Sequence, residues 1–133
     1  LWSGANDTLR EKIGEDYPRD TFRHEQDLLV TENGKTALFA GCAHCGIVNI
    51  LKSAEDVLGR APDAVFAGFH LYNPSLGKSE PDELVDAVGE KLRGDKVAHY
   101  FTGHCTGKEA YERLKRKLGD RLGEMPAGSD FTV

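Results

Sequence analysis

The sequence of 133 residues has no long hydrophobic run, few aromatic residues and no excess of basic charge. No apolar stretch approaches the roughly 20 residues of a membrane span, and the amino terminus lacks the basic segment and apolar core of a signal peptide. Its 17 basic residues are outnumbered by 22 acidic ones, and the resulting formal charge of −5 argues against a nucleic-acid partner. These absences predict a cytoplasmic protein with neither a membrane nor a nucleic acid as its partner.

Cysteine is also scarce, because the chain contains only three. Three cysteines cannot all pair within one chain, so a reduced setting with free thiols is the simpler interpretation. The length fits a single domain over 1–133, in which polar residues 1–27 form an irregular lead-in with a short helix near 9–13. Because the sequence starts at Leu1 and not at Met, we expect the chain to be part of a longer protein.

From Leu28 onward, apolar periodicity predicts alternating strands and helices. The first two strands flank Asn33-Gly34, a pair that readily adopts the positive φ angles of a tight hairpin turn. The predicted strands cover 28–31, 36–40, 64–69, 97–102 and a last short segment at 131–133. The predicted helices cover 46–58, 81–92 and 107–118, and Thr106 with Glu109 forms a capping box for the third. This alternation predicts an α/β fold with a largely parallel sheet.

Three of the predicted parallel strands end alike, in a glycine followed within three residues by a histidine. The segments are Gly41-Cys42-Ala43-His44, Gly68-Phe69-His70 and Gly103-His104. The carboxyl ends of parallel strands line the crevice in which open α/β sheets bind ligands, and neutral imidazole is the commonest metal ligand. The pattern therefore predicts a site for zinc, iron or manganese, although each histidine taken alone is more often a packed structural residue.

The cysteines allow other interpretations. Cys42-Ala43-His44-Cys45 is a Cys-x-x-Cys motif at the start of a predicted helix, which is typical of a thiol redox pair. Alternatively, Cys42, Cys45, His104 and Cys105 could form a structural zinc site. Both interpretations leave Gly68-Phe69-His70 unexplained. The simplest hypothesis is that the three thiols are small, half-buried residues with no chemical role.

Four segments, in their order and spacing, resemble one enzyme family. They are Phe22-Arg23-His24-Glu25-Gln26-Asp27-Leu28, Ala40-Gly41-Cys42-Ala43-His44-Cys45-Gly46-Ile47-Val48-Asn49, Gly68-Phe69-His70-Leu71 and His104-Cys105-Thr106-Gly107. Together they resemble the metallo-β-lactamase superfamily, and within it the branch similar to dihydropterin ribofuranosyl-aminobenzene phosphate synthase. The resemblance implies an αββα sandwich of two βα halves, of which this chain is similar to the C-terminal half. The His-x-His-x-Asp-His motif of the other half is not found in this sequence.

The resemblance also implies roles for the strand-end histidines. His44 matches the single metal-binding histidine that follows the missing motif, and His104 matches the final metal-binding histidine. His70 lies near the position of a bridging acidic residue or cysteine in many members, which implies a catalytic role as a ligand or as a substrate contact. Asp63 lies at the wrong end of its strand to take that position.

The function implied by the resemblance is that of the C-terminal part of a metal-dependent hydrolase. A divalent metal, zinc foremost with iron or manganese as alternatives, would activate water against a small phosphorylated or pterin-like substrate. Half a sandwich also leaves one sheet face uncovered, which predicts a partner, either the N-terminal half of the fold or a second copy of the chain. The alternatives are a non-catalytic fragment or binding subunit that needs an N-terminal-half partner, and a Cys-x-x-Cys redox module.

Overall fold

The computed structural model describes residue 1 and residues 3–133. Within these residues the strands are β1 Leu28–Glu32, β2 Lys35–Ala40, β3 Ala64–Ala67, β4 Tyr72–Asn73, β5 Lys78–Ser79, β6 His99–Thr102 and β7 Leu122–Glu124. The α-helices are α1 Ile47–Leu58, α2 Asp82–Gly94 and α3 Lys108–Leu118, and short 3₁₀ helices cover Gly4–Thr8, His104–Thr106 and Gly119–Arg121. The main sheet has the order β1-β2-β3-β6-β7, and β4 pairs with β5 separately.

The predicted α/β fold with a largely parallel sheet is confirmed. Strands β1 and β2 form the antiparallel hairpin, whereas β2, β3, β6 and β7 run parallel to their neighbours. The turn of the hairpin uses Asn33 at φ 51° and Gly34 at φ 78°, as the Asn-Gly pair predicts. Helices between successive parallel strands place the carboxyl ends of β2, β3 and β6 at one edge of the sheet.

The core lies between the inner face of the sheet and the helices. Period-two alternation sends Leu38, Val65 and Tyr100 inward, where at most 1% of each is exposed. The helices contribute Ile47, Ile50, Leu51, Val85, Val88, Leu92, Ala110, Leu114 and Leu118 to the same cluster. Among the described residues, no helix combines the length and apolar character that crossing a bilayer requires.

The opposite side of the sheet, called the outer face below, carries Leu28, Val30, Phe39, Phe66 and Phe101. Phe39, Phe66 and Phe101 lie in register on adjacent strands, and their rings stack with centroids 4.9 and 4.8 Å apart. No helix named above contributes to this face. Leu28 is 59% exposed, Val30 44% and Phe39 41%, so the outer face presents apolar surface to solvent.

Two expectations about the ends of the chain are wrong. The last strand is not 131–133 but β7, which pairs parallel with β6 through Leu122, Gly123 and Glu124. Phe131 instead packs its ring on Phe101, with centroids 4.4 Å apart. Near the other end, the helical turn lies at Gly4–Thr8, and residues 9–13 are extended, with Arg10 and Ile13 in isolated bridges.

Candidate functional site

The loops that follow β2, β3 and β6 are joined by backbone hydrogen bonds. The Gly68 N–H donates to the Gly41 carbonyl at 2.8 Å, and the Leu71 N–H donates to the Cys105 carbonyl at 3.1 Å. The strand-end segments that the sequence singled out therefore meet at one edge of the sheet, as predicted.

Thr106 has a different role from the predicted one. Its hydroxyl accepts the Phe69 N–H at 2.9 Å and lies 2.6 Å from the Thr102 hydroxyl, with both threonines buried. The N-cap of α3 is Gly107, without a side-chain cap bond. The predicted capping box is wrong because the hydroxyl of Thr106 satisfies the backbone of the β3 loop instead.

The backbone at this edge is strained. Among the described residues, five non-glycine residues have positive φ, and four of them are Phe22 at 54°, Ala43 at 53°, His70 at 46° and His104 at 51°. The fifth is Asn33, in the hairpin turn. Each such conformation costs on the order of 1–3 kcal/mol, and such residues cluster at functional sites. The strain marks the same edge as the histidine pattern.

Close packing explains the glycine that precedes His70. A Cβ atom on Gly68 would lie 2.7 Å from the Cys105 sulfur and 3.5 Å from the Cys42 Cα. Only glycine allows the β2, β3 and β6 loops to approach this closely.

The imidazole of His44 is held on two sides. Its Nδ1 lies 2.9 Å from the Asn6 side-chain oxygen, and the Asn6 amide nitrogen donates to the His44 carbonyl at 2.8 Å. The Phe22 ring stacks on the imidazole, with centroids 4.4 Å apart and planes 2° from parallel. Burial lowers the pKa of His44, with Glu25 opposing the shift, so the ring is neutral at physiological pH.

Glu25 fixes the backbone of the same loop. Its two carboxylate oxygens accept the N–H groups of His44 and Cys45, both at 2.7 Å. A carboxylate that accepts two backbone N–H bonds makes strong, charge-assisted contacts. Residue 44 is therefore tied down through its backbone as well as through its ring.

His70 lies directly against His44, with ring centroids 4.1 Å apart and planes at 54°. The residue is 6% exposed, and neither ring nitrogen has a hydrogen-bond partner within the described part of the chain. Burial lowers the pKa of His70 to about 4, repulsion from His44 and His104 adds to the shift, and the Ala5 backbone opposes it. This imidazole is neutral and buried, and its nitrogens make no hydrogen bond of normal geometry in the described residues, as expected of a ligand or of a group that contacts substrate.

His104 lies apart from this pair. It is exposed and lines a cavity of about 430 Å³ together with Lys108, Tyr111 and Glu124. Over residue 1 and residues 3–133, no three His, Cys, Asp or Glu side chains are close enough together to hold a metal ion. The structure thus joins His44 with His70 and leaves His104 on the neighbouring loop, and metal binding by His44 and His104 stays a prediction.

Cys45 and Cys105 lie in surroundings that disfavour the thiolate form. The Cys45 sulfur donates to the Phe22 carbonyl at 3.7 Å, and burial, followed by Glu25, raises its pKa to about 11. The Cys105 sulfur donates to the Cys42 carbonyl at 3.6 Å, and burial, followed by Cys42, raises its pKa to about 12. The redox hypothesis requires a thiol of low pKa, and the surroundings of Cys45 shift its pKa in the opposite direction.

The structural zinc hypothesis also fails within the described residues. Its four proposed ligands contain no three that come together around one point. All three described cysteines are free and partly buried, as the simplest hypothesis predicts.

The remaining donors do fit a divalent metal of intermediate softness such as zinc. The buried ring nitrogens of His70 have no partner in the described residues, and the adjacent ring of His44 is anchored through Nδ1, so that its Nε2 is the nitrogen left for a ligand. Two adjacent imidazoles are fewer than the three or four ligands of a zinc site. The residues present therefore fit part of a metal shell.

Sequence reasoning missed Asn6 and gave no role to Glu25. Both lie in or near the polar lead-in, which has no periodicity, and both reach His44 across many intervening residues. Glu25 does belong to one of the segments on which the family resemblance rests, and that was the only available signal.

Three comparisons bear on the identity of the chain. A search against protein-family models gives no match. The chain is 30% identical over 101 residues to 7,8-dihydropterin-6-methyl-4-(β-D-ribofuranosyl)-aminobenzene-5′-phosphate synthase of Methanocaldococcus jannaschii. The aligned residues make up 75% of this chain and 32% of that protein. It also superposes on a crystal structure of a metal-dependent hydrolase of the β-lactamase superfamily with a TM-score of 0.79 and 23% identity.

That superposition covers 98% of this chain and 51% of the solved chain. The chain thus spans about a third of the length of the curated relative and about half of the solved structure. The resemblance seen in the sequence is confirmed: the chain has the fold of part of a metallo-β-lactamase superfamily protein and is similar in sequence to the dihydropterin ribofuranosyl-aminobenzene phosphate synthase.

Proposed function

We propose that this chain supplies part of the metal site of a metallo-β-lactamase-type hydrolase. In this proposal His44 and His104 bind a divalent metal, zinc foremost with iron or manganese as alternatives, and His70 is the catalytic residue beside them. The observation that carries the proposal is the buried His70 ring, unpartnered in the described residues and 4.1 Å from the anchored ring of His44. The substrate is a small molecule, either phosphorylated or pterin-like, a proposal supported by the similarity to the archaeal synthase.

Different residues of the chain orient the histidines, keep them neutral and contact the substrate in this proposal. Burial keeps the His44 ring neutral, and Asn6 and Glu25 keep it oriented. Burial also keeps His70 neutral and able to accept a hydrogen bond or bind a metal. When bound, a divalent metal would lower the pKa of water toward neutrality and polarise the group under attack. The cavity beside His104 offers Lys108 to an anionic part of the substrate.

A calorimetric titration with zinc chloride tests the metal proposal. We expect the chain to bind zinc, and we expect His44→Ala and His104→Ala to weaken binding by at least tenfold. The matched control is His99→Ala, because His99 is an exposed histidine on the far side of the sheet. Absence of zinc binding, or equal weakening by all three variants, would contradict the proposal.

We also propose that the outer face binds the N-terminal half of the fold. Three exposed apolar side chains and a row of stacked phenylalanines support this, since contiguous apolar surface of this kind marks an interaction site. The superposition on about half of the solved chain supports the same partner. Without that partner, we expect the outer face to cause concentration-dependent self-association.

Light scattering tests this second proposal. Phe39→Lys places a charge on the outer face and should reduce self-association. Val57→Lys, on α1 at a residue that is 76% exposed, should leave self-association unchanged. A stable wild-type monomer at every concentration would count against a missing partner. A single defined dimer would favour a second copy of the chain as the occupant.

A further inference from the structure

Asn6 is a fully buried polar residue whose side chain touches His44 twice. It is 0% exposed, and its amide contacts both the Nδ1 and the backbone carbonyl of His44. A buried amide must satisfy its donors and acceptor, so these two bonds are the main use of the side chain.

The two bonds together fix which nitrogen of His44 carries the proton. The Asn6 nitrogen faces a carbonyl oxygen, and the reverse orientation would place two acceptors against each other. The Asn6 oxygen therefore faces Nδ1, and because that oxygen can only accept, Nδ1 must be the protonated nitrogen. Nε2 is then left with a free lone pair.

Two further contacts fix the position of the same ring. Glu25 holds the backbone N–H groups of residues 44 and 45 at 2.7 Å, and Phe22 stacks flat against the imidazole. The ring can neither flip nor slide without breaking contacts of the backbone, the amide or the stack. Orientation and tautomer are therefore both set before any ligand arrives.

We propose that Asn6 is a positioning residue that holds His44 in the Nδ1–H tautomer, with the Nε2 lone pair left free, and that Glu25 anchors the loop on which this arrangement depends. The tautomer itself stands on the geometry alone. Its value for metal binding rests on the proposed function above, because groups that orient a ligating histidine typically contribute 10–100-fold in metal affinity.

Nuclear magnetic resonance of the metal-free chain tests the tautomer directly. Long-range ¹H–¹⁵N correlation of the imidazoles, recorded at alkaline pH and assigned with His44→Ala, should show His44 as the Nδ1–H form. Free histidine in water prefers the Nε2–H form, so this result requires a specific contact. A wild-type His44 in the Nε2–H form would overturn the proposal without any further variant.

Two substitutions at Asn6 sharpen the test. Asn6→Asp keeps an oxygen acceptor for Nδ1–H and should retain the tautomer, although it loses the donor to the His44 carbonyl and should lower stability. Asn6→Leu keeps the bulk, removes the acceptor and should release the ring to the Nε2–H form. Thr36→Val is the control, since Thr36 is also a buried polar residue but lies at the start of β2, where it contacts Thr31 and Arg60, and it should leave the tautomer unchanged. An unchanged Nδ1–H form in Asn6→Leu would overturn the proposal.

Zinc affinity separates this inference from the proposed function. If zinc binds, Asn6→Leu should weaken binding 10–100-fold, and Asn6→Asp, which keeps the acceptor for Nδ1–H, should weaken it less. If the tautomers follow the predictions but no variant binds zinc, the positioning role of Asn6 stands and the metal proposal fails. If zinc binds equally to all variants, the link between Asn6 and metal affinity is wrong.

Discussion

The two ends of strand β3 differ in how completely their polar groups are satisfied. At the amino end, Asp63 accepts the Thr36 N–H at 2.8 Å and pairs with Arg60 at 3.0 Å and Lys35 at 3.5 Å. Beyond the carboxyl end, His70 is more deeply buried, has a positive φ, and its ring nitrogens lack partners in the described residues.

This difference shows that the carboxyl end of β3, and not its amino end, lowers the stability of the fold. A buried polar group without a partner costs on the order of 1–3 kcal/mol, and a strained backbone adds a similar amount. At the amino end of β3, the contacts of Asp63 hold the hairpin in place, and this structural role accounts for them. The carboxyl end is what we expect of a site that binds a ligand, as proposed above.

The largest expected effect is the acid sensitivity of His70. Its folded pKa of about 4 lies below the unfolded value of about 6.5, so the unfolded chain takes up the proton first as the pH falls. The stability that the neutral His70 contributes to the fold is complete above pH 6.5 and is lost between pH 6.5 and 4. The loss in the free energy of unfolding amounts to about 3 kcal/mol. Denaturant unfolding across this range should show the loss.

His70→Asn provides the comparison, because asparagine does not titrate and tolerates positive φ. The free energy of unfolding of this variant should change less between pH 6.5 and 4 than that of the wild type. His99→Asn, at an exposed position, should behave like the wild type. A wild-type chain whose stability is constant over this range would contradict the proposed environment of His70.

The second effect concerns the close approach of the loops. Gly68→Ala would place a methyl group 2.7 Å from the Cys105 sulfur, and we expect a loss of about 2 kcal/mol in the free energy of unfolding. Gly41→Ala is the matched control at the end of β2, where an added Cβ meets nothing within 4 Å among the described residues. Equal losses in both variants, measured by chemical denaturation, would show that the packing argument is wrong.

A smaller effect is expected at the amino end. The Thr36 N–H, followed by Arg60 and Lys35, lowers the pKa of Asp63. The stability that Asp63 contributes is therefore complete above its unfolded pKa of about 3.8 and is lost as the pH falls through its lower folded value. Asp63→Asn should lower the melting temperature slightly near neutrality and change the pH profile only below about pH 4. A change between pH 6.5 and 4 would contradict the assignment of that window to His70.

Local signals in the sequence predicted most of the fold. The Asn33-Gly34 turn, the apolar faces of the helices and the glycine before each strand-end histidine all depend on neighbouring residues, and the structure agrees with them. Strand β7 was missed because Leu122-Gly123-Glu124 is too short and too polar to show alternation. Its place is set by pairing with β6, which no local pattern reveals.

The site was predictable only in part. Strand order brings His44 and His70 together, and that order follows from βα topology. The roles of Asn6, Glu25 and Thr106 depend on contacts with residues distant in sequence, and an asparagine or threonine in a loop fits capping or solvation equally well. Thr106 shows the difficulty, since the motif for a capping box was present and its hydroxyl was used elsewhere.

The most direct test of the account is a zinc titration followed through the ring nitrogens of all five histidines. If His44 and His104 form part of a metal site, the ¹⁵N signals of His44 Nε2 and of one His104 nitrogen should shift together and those of the adjacent His70 should respond, while His24 and His99 stay unchanged. A titration in which His44 and His104 do not move, or in which His24 and His99 move equally, would contradict the central claim.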